Sequence, residues 1–241
     1  MKLFVTDYDD TLFTDNISIK ENIKMLLKLQ DNDTKVIINT GRSYPSIKHQ
    51  LDTYSVPYDY IICADGSLIY DNDGNILKLY EIDDKIIEPF KKFYQDINYE
   101  ELQFVYKEGY SNILTSIKGL LGINVCISNK NYTKELRDKL LKLNDDYPNY
   151  SFFCYTHTEY SFLCVKPKGI TKATFISYLM DENNINKKDI YVIGDSYNDY
   201  DMIKEYDGVA MNTSYPEILE IAKKTYSCVS DYIKDILKED N

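Results

Sequence analysis

The chain has 241 residues, 44% of them hydrophobic, enough to bury a sizeable core in one or two domains. Its net charge of -11, with Arg42 and Arg137 as its only arginines, offers no basic footprint for nucleic acid. No stretch approaches the roughly eighteen apolar residues of a membrane span. Five scattered cysteines without a Cys-x-x-Cys pair read as thiols of a reducing cytoplasm. The apolar opening reads as a strand rather than a cleavable leader, so a cytoplasmic protein is expected.

In chain order, Leu3 to Val5 reads as a buried parallel strand that empties into Asp7, Asp9 and Asp10. In open α/β sheets ligands bind at that strand end. Three carboxylates within four residues repel one another unless a cation or protons neutralise them. If the strand continues, Asp7 and Asp9 share one of its faces. Ser18-Ile19-Lys20-Glu21 has the form of a capping box and opens an amphipathic helix to about residue 31. Lys35 to Ile38 is a second strand, ending in Asn39-Thr40-Gly41-Arg42. A helix capped near Ser43 carries Ile47, Leu51 and Tyr54 on one face, and Tyr58 to Cys63 is a third strand. This alternation predicts a parallel, doubly wound sheet.

The pattern then breaks. Residues 68–79 read as a hairpin with a Gly-containing turn. Beyond it come a helix (83–96), two or three strands within 102–128, a helix (132–144) and strands 150–156 and 160–165. This is an α+β unit. Residues 82–166 hold 11 Lys and Arg against 12 Asp and Glu, so nearly all the acidity lies in the flanking halves. Two domains are therefore expected: 1–81 plus 167–241 as an α/β core, and 82–166 as an insertion. From Gly169 the first pattern resumes, with a helix (170–182) and the strand Ile190 to Ile193. That strand ends in Gly194-Asp195-Ser196-Tyr197-Asn198-Asp199, with a helix starting near Asn198. A short strand (208–211) and helices at 215–224 and 231–238 follow.

If the two acid-tipped strands are sheet neighbours, Asp7, Asp9, Asp195 and Asp199 converge on one crevice. A third strand delivers Thr40 there, and Lys172 reaches it from the start of its helix. A carboxylate nest with one lysine and one hydroxyl suits phosphoryl chemistry, with Mg²⁺ as the hard cation.

Asp7-Tyr8-Asp9-Asp10-Thr11 resembles the first motif of the haloacid dehalogenase superfamily of phosphatases. Thr40-Gly41-Arg42 resembles the second, Lys172 in Gly169-Ile170-Thr171-Lys172 the third, and Gly194-Asp195-Ser196-Tyr197-Asn198-Asp199 the fourth. The insertion between the second and third is most similar to the Cof-type branch with an α/β cap. The resemblance implies that Asp7 is the nucleophile, forming an aspartyl phosphate, and that Asp9 is the general acid and base. It implies Mg²⁺ bound by Asp7, the Asp9 main-chain carbonyl, Asp195 and Asp199. It also implies phosphate contacts from Thr40, Gly41 and Lys172, with Asn198 orienting its neighbours. The expected substrate is a small phosphorylated metabolite, such as a sugar phosphate, selected by the cap. Three positions depart from the family pattern. Asp10 stands where Gly is usual, Asp65-Gly66-Ser67 replaces Asn-Gly-Ala, and Met211-Asn212-Thr213-Ser214 replaces Met-Gly-Asn-Ala.

Other residues have plainer readings beside the functional one. Arg42 after a strand reads as a structural partner for a nearby carboxylate. His49 reads as solvated, and His157, in the turn of a hairpin, is open between substrate contact and exposure. Asp199 also suits a helix cap. Two histidines make a histidine-based metal cluster or base a poor fit. A phosphosugar mutase would use the same aspartyl phosphate, and a phospho-receiver module also groups carboxylates, a hydroxyl and a lysine around Mg²⁺. Receivers are about half this length and lack the insertion.

Overall fold

The computed structural model describes residues 1–156 and 159–239; His157 lies outside them. In chain order the first half contains β1 (Lys2–Thr6), α1 (Ser18–Asp31), β2 (Thr34–Asn39), α2 (Tyr44–Tyr54), β3 (Tyr60–Cys63), β4 (Leu68–Asp71) and β5 (Ile76–Leu79). Next come α3 (Ile87–Tyr94), β6 (Glu101–Tyr106), β7 (Gly109–Ser111), β8 (Leu120–Ser128), α4 (Lys134–Asp146), β9 (Tyr150–Thr156) and β10 (Tyr160–Pro167). The chain closes with α5 (Thr174–Asn183), β11 (Ile190–Gly194), α6 (Tyr200–Glu205), β12 (Val209–Met211), α7 (Pro216–Ile221), β13 (Thr225–Tyr226) and α8 (Val229–Glu239). Contacts divide it into two compact units, one of residues 1–42, 46–78 and 171 onward, the other of 43–45 and 79–170.

The first unit is built on an eight-stranded sheet of order β13-β12-β11-β1-β2-β3-β4-β5. β13, β12, β11, β1, β2 and β3 run parallel, and β4 is antiparallel to β3. Strands buried on both faces read as continuous apolar runs, and Phe4, Val5, Ile37, Ile38, Val192 and Ile193 are all fully buried. Each such side chain contributes about 1.5–3 kcal/mol by leaving water. From β1 the chain moves one way to β2 and β3, and later returns on the other side through β11, β12 and β13. The strand order therefore switches direction between β1 and β11, which is where doubly wound sheets bind ligands. The second unit carries a five-stranded antiparallel sheet, β7-β6-β8-β10-β9. Its core joins Phe90 of α3, Leu140 of α4 and sheet residues such as Ile123, Val125 and Leu163.

Several local expectations change. The helix α1 is not opened by a Ser18–Glu21 box. Asp15 caps it, its Oδ1 accepting from the N–H groups of Ile17 and Ser18 at 2.6 and 2.9 Å, while the Ser18 hydroxyl pairs with Thr14. A carboxylate meets orphan donors more strongly than a neutral hydroxyl does. The strand β1 stops at Thr6, and the chain turns so that Leu12 and Phe13 donate back to the Asp7 and Tyr8 carbonyls. Asp7 and Asp9 therefore do not share a strand face. The helix expected at 215–224 ends at Ile221, since the following residues extend into the short edge strand β13.

Candidate active site

The site is assembled within the first unit, at the C-terminal ends of β1, β2 and β11. Asp7 follows β1 directly, its N–H donating to the Ile193 carbonyl of neighbouring β11. Lys172 lies in the turn before α5 and is 0% exposed. Its Nζ donates to Asp7 Oδ1 and to Asp199 Oδ1, both at 2.7 Å. Asn39, the last residue of β2, holds that turn by donating to the Lys172 carbonyl at 2.8 Å. The other Asp199 oxygen accepts from the N–H groups of Asp195 and Ser196, at 3.1 and 3.0 Å. Asp199 thus caps its short helix and anchors Lys172 at once. Gly194 makes room for it: a Cβ there would sit 2.4 Å from Asp199 Cγ. Thr11 donates to Asp195 Oδ1 at 2.7 Å, fixing the third carboxylate from the loop after β1.

Oxygens of Asp7, Asp195 and Asp199 all lie within 4.8 Å of one another. Burial drives the Asp7 carboxyl well above its ordinary value. Lys172 opposes this, and Asp199 and Asp195 add to it. Burial and then Asp199 push Asp195 up to about 6, with the Thr11 hydrogen bond pulling the other way. Burial works against the Lys172 charge, but Asp199, Asp7 and Asp65 outweigh it and hold the ammonium above its usual range. Burial is the first cause at Asp7 and Asp195, with neighbouring carboxylates adding to it, whereas at Lys172 those carboxylates outweigh burial. The second oxygens of Asp7 and Asp195 accept no hydrogen bond from any described residue. An all-oxygen donor set with two units of uncompensated negative charge fits a hard divalent cation.

Thr40 is buried just beyond β2. Its Oγ1 accepts from the Arg42 N–H at 3.1 Å, leaving its own proton to donate. Gly41 approaches Asp65 so closely that a Cβ would lie 2.9 Å from Oδ1. The same Asp65 oxygen accepts from Asn198 Nδ2 at 2.9 Å. Asp9 stands apart from the metal-type cluster: its carboxylate takes a two-pronged pair from Arg42, Nε to Oδ2 at 2.7 Å and Nη2 to Oδ1 at 2.6 Å. Arg42 also lies over the Tyr8 ring, 5.7 Å from its centroid, and donates to Ser46. It does pair structurally with a carboxylate, but that carboxylate belongs to a candidate site residue. Asp10 adopts φ 57°, a left-handed conformation that Gly takes freely and Asp tolerates better than most residues. Asn212 is exposed, His49 is exposed on α2, and Asn212 N–H donates to the Tyr226 carbonyl.

The sequence reading assigned no role to Thr11, Asn39 or Asp65. Thr11 was visible within the first acidic motif and Asn39 beside Thr40, whereas Asp65 drew notice only as a departure from pattern.

The chain matches the family model described as haloacid dehalogenase-like hydrolase over residues 4–232. It is 26% identical over 250 residues to the 5-amino-6-(5-phospho-D-ribitylamino)uracil phosphatase of Bacillus subtilis, covering 100% of this chain and 92% of that one. Among solved structures it resembles one from Bacteroides thetaiotaomicron, described among phosphatases of the haloalkanoate enzyme superfamily. That likeness has a TM-score of 0.79 and 23% identity, over 99% of this chain and 94% of the other. A haloacid dehalogenase-like hydrolase from B. subtilis gives a TM-score of 0.79 at 18% identity, over 99% of both chains. Among the described residues no helix is long and apolar enough to cross a membrane.

Proposed function

The chain belongs to the haloacid dehalogenase-like hydrolase family, and we propose that it is a Mg²⁺-dependent phosphatase of small phosphorylated metabolites, working through an aspartyl phosphate. The observation that carries this reading is the buried Lys172 ammonium shared by Asp7 and Asp199, with Asp195 completing a three-carboxylate cluster. Asp7, Asp195, the Asp9 main-chain carbonyl and Asp199 would hold Mg²⁺, which when bound offsets the charge of the cluster and of the substrate phosphate.

In the proposed first step an Asp7 oxygen attacks phosphorus, the bond to the leaving oxygen breaks, and Asp9 gives that oxygen its proton. In the second, Asp9 takes a proton from a water whose oxygen attacks the aspartyl phosphate. The bond to Asp7 breaks, inorganic phosphate leaves, and both residues are restored. Lys172 and the Thr40 hydroxyl hold phosphoryl oxygens, with Gly41 beside them. Arg42 orients both oxygens of Asp9 before substrate arrives. The second unit selects the substrate in this reading.

The test is phosphate release from a panel of phosphorylated metabolites, with Mg²⁺ and after EDTA. Turnover should stop in EDTA and return with Mg²⁺. Ca²⁺ should restore little, because its looser coordination disturbs in-line geometry. Undiminished activity in metal-free protein would refute the metal dependence.

A further inference from the structure

The turn after β3 leaves ordinary backbone three times in a row: Ala64 has φ 47°, Asp65 φ 49° and Gly66 φ 104°. Glycine takes such angles freely, aspartate tolerates them and alanine resists them. A turn of this kind persists only where its neighbours hold it. Here the Ala64 N–H donates to the Arg42 carbonyl at 3.0 Å, and the Asp65 N–H to the Thr40 carbonyl at 3.1 Å. The turn therefore braces the Thr40-Gly41-Arg42 loop at the end of β2.

The half-buried Asp65 side chain extends that brace to the loop after β11. Its Oδ1 accepts from Asn198 Nδ2 at 2.9 Å, and it stands so close to Gly41 that a Cβ there would come within 2.9 Å. A carboxylate only accepts, whereas a side-chain amide can donate or accept. Asp65 therefore fixes which way the Asn198 amide faces, with its nitrogen toward the carboxylate.

The same carboxylate adds a negative charge to a crevice that already holds Asp7, Asp195 and Asp199. Its field reaches Lys172, where it ranks after Asp199 and Asp7 among the carboxylates that keep the ammonium protonated. A charge that attracts Lys172 repels an anion that Lys172 holds. Gly41, against which Asp65 stands, follows Thr40, whose hydroxyl holds a phosphoryl oxygen in the proposed mechanism. Building on the phosphatase reading, we infer that Asp65 is a positioning residue that also weakens the crevice's hold on phosphate. It orders Asn198 and the Thr40-Gly41-Arg42 loop, and its charge opposes the phosphate ion once formed, so that product leaves.

The test compares D65N, which keeps an acceptor oxygen but removes the charge, with D65G, which removes both and adopts φ 49° freely. Unchanged thermal unfolding confirms that each variant folds, and D65N alone decides the role of the charge if D65G does not. In calorimetric titration of the full chain with inorganic phosphate and Mg²⁺, D65N should bind at least about threefold more tightly than wild type. The gap should narrow in about 1 M salt, where screening acts within about 3 Å. In turnover D65N should lower KM by a similar factor and keep kcat within about threefold, whereas D65G should lower kcat at least about tenfold. Phosphate affinity of D65N equal to that of wild type, or a gap indifferent to salt, would overturn the role of the charge. A kcat of D65G equal to wild type would overturn the positioning. Wild-type protein that neither binds phosphate nor releases it from any ester would overturn the phosphatase reading, and this inference with it. Wild-type protein that does both, with D65N and D65G matching it, would overturn this inference alone.

Discussion

Asp7 and Asp9 stand two residues apart in sequence, yet one is buried on Lys172 and the other is partly exposed on Arg42. That separation gives two like side chains different surroundings, a buried ammonium for one and a partly exposed guanidinium for the other. Asp7→Asn should abolish turnover, because an amide does not displace an alcohol from phosphorus. Asp9→Asn should retain metal binding, read by calorimetry, while kcat falls by about 10²–10⁴-fold, the usual scale of acid–base catalysis. In the proposed mechanism Arg42 acts one step back, through Asp9. Its replacement by Lys keeps the charge but loses the two-pronged geometry, and kcat should fall about tenfold to a hundredfold with KM little changed. If R42K matched wild type in both constants, the clamp would be structural only.

At the scale of elements, apolar runs made the central strands legible: Leu3 to Val5, Lys35 to Ile38 and Ile190 to Ile193 have no amphipathic alternative. Their acidic ends were legible as well, since a buried strand that spills carboxylates needs a reason. The contacts that complete the site were not. Thr11 meets Asp195 across 184 residues and Arg42 meets Asp9 across 33, so no local pattern encodes either pair. The edge strand β13, with two residues, is too short to carry a periodicity. Gly194 belongs to this level, because the turn after β11 works only if nothing projects toward Asp199. Gly194→Ala should displace that carboxylate, costing about 1–3 kcal/mol of stability by overpacking, with activity falling further than stability. Asp59, just before β3, ties three elements by accepting from Lys35, Gln30 and the Val36 N–H at 2.8, 3.0 and 2.9 Å. Burial would raise its carboxyl, but these bonds win and hold it below the usual value. Its stabilisation is thus full above the unfolded carboxylate pKa of about 3.9 and is lost as pH falls through the lower folded value. Asp59→Asn should cost about 1–3 kcal/mol near neutrality and lose part of the wild-type acid sensitivity below pH ~4 in denaturant melts. A variant equally stable at neutral pH would contradict this accounting.

For the whole molecule, the proposed chemistry residues all fall in the first unit, while the second builds its own sheet and core. Residues 82–166 carry a net charge of only -1 out of -11, the less repulsive surface for an anionic substrate. Substitution of its exposed Tyr160 by Ala should therefore reorder kcat/KM across a metabolite panel while sparing a small aryl phosphate. An unchanged ranking would remove that residue from substrate selection. The claim beneath the catalytic predictions is the covalent step on Asp7, and it can be read directly. Enzyme turning over with Mg²⁺ is quenched and treated with borohydride, which reduces an acyl phosphate to an alcohol, and the N-terminal peptide is then sequenced by mass spectrometry. The account predicts homoserine at position 7 only in the sample that received substrate. Turnover with aspartate intact at position 7, or with the label on another residue, would contradict it.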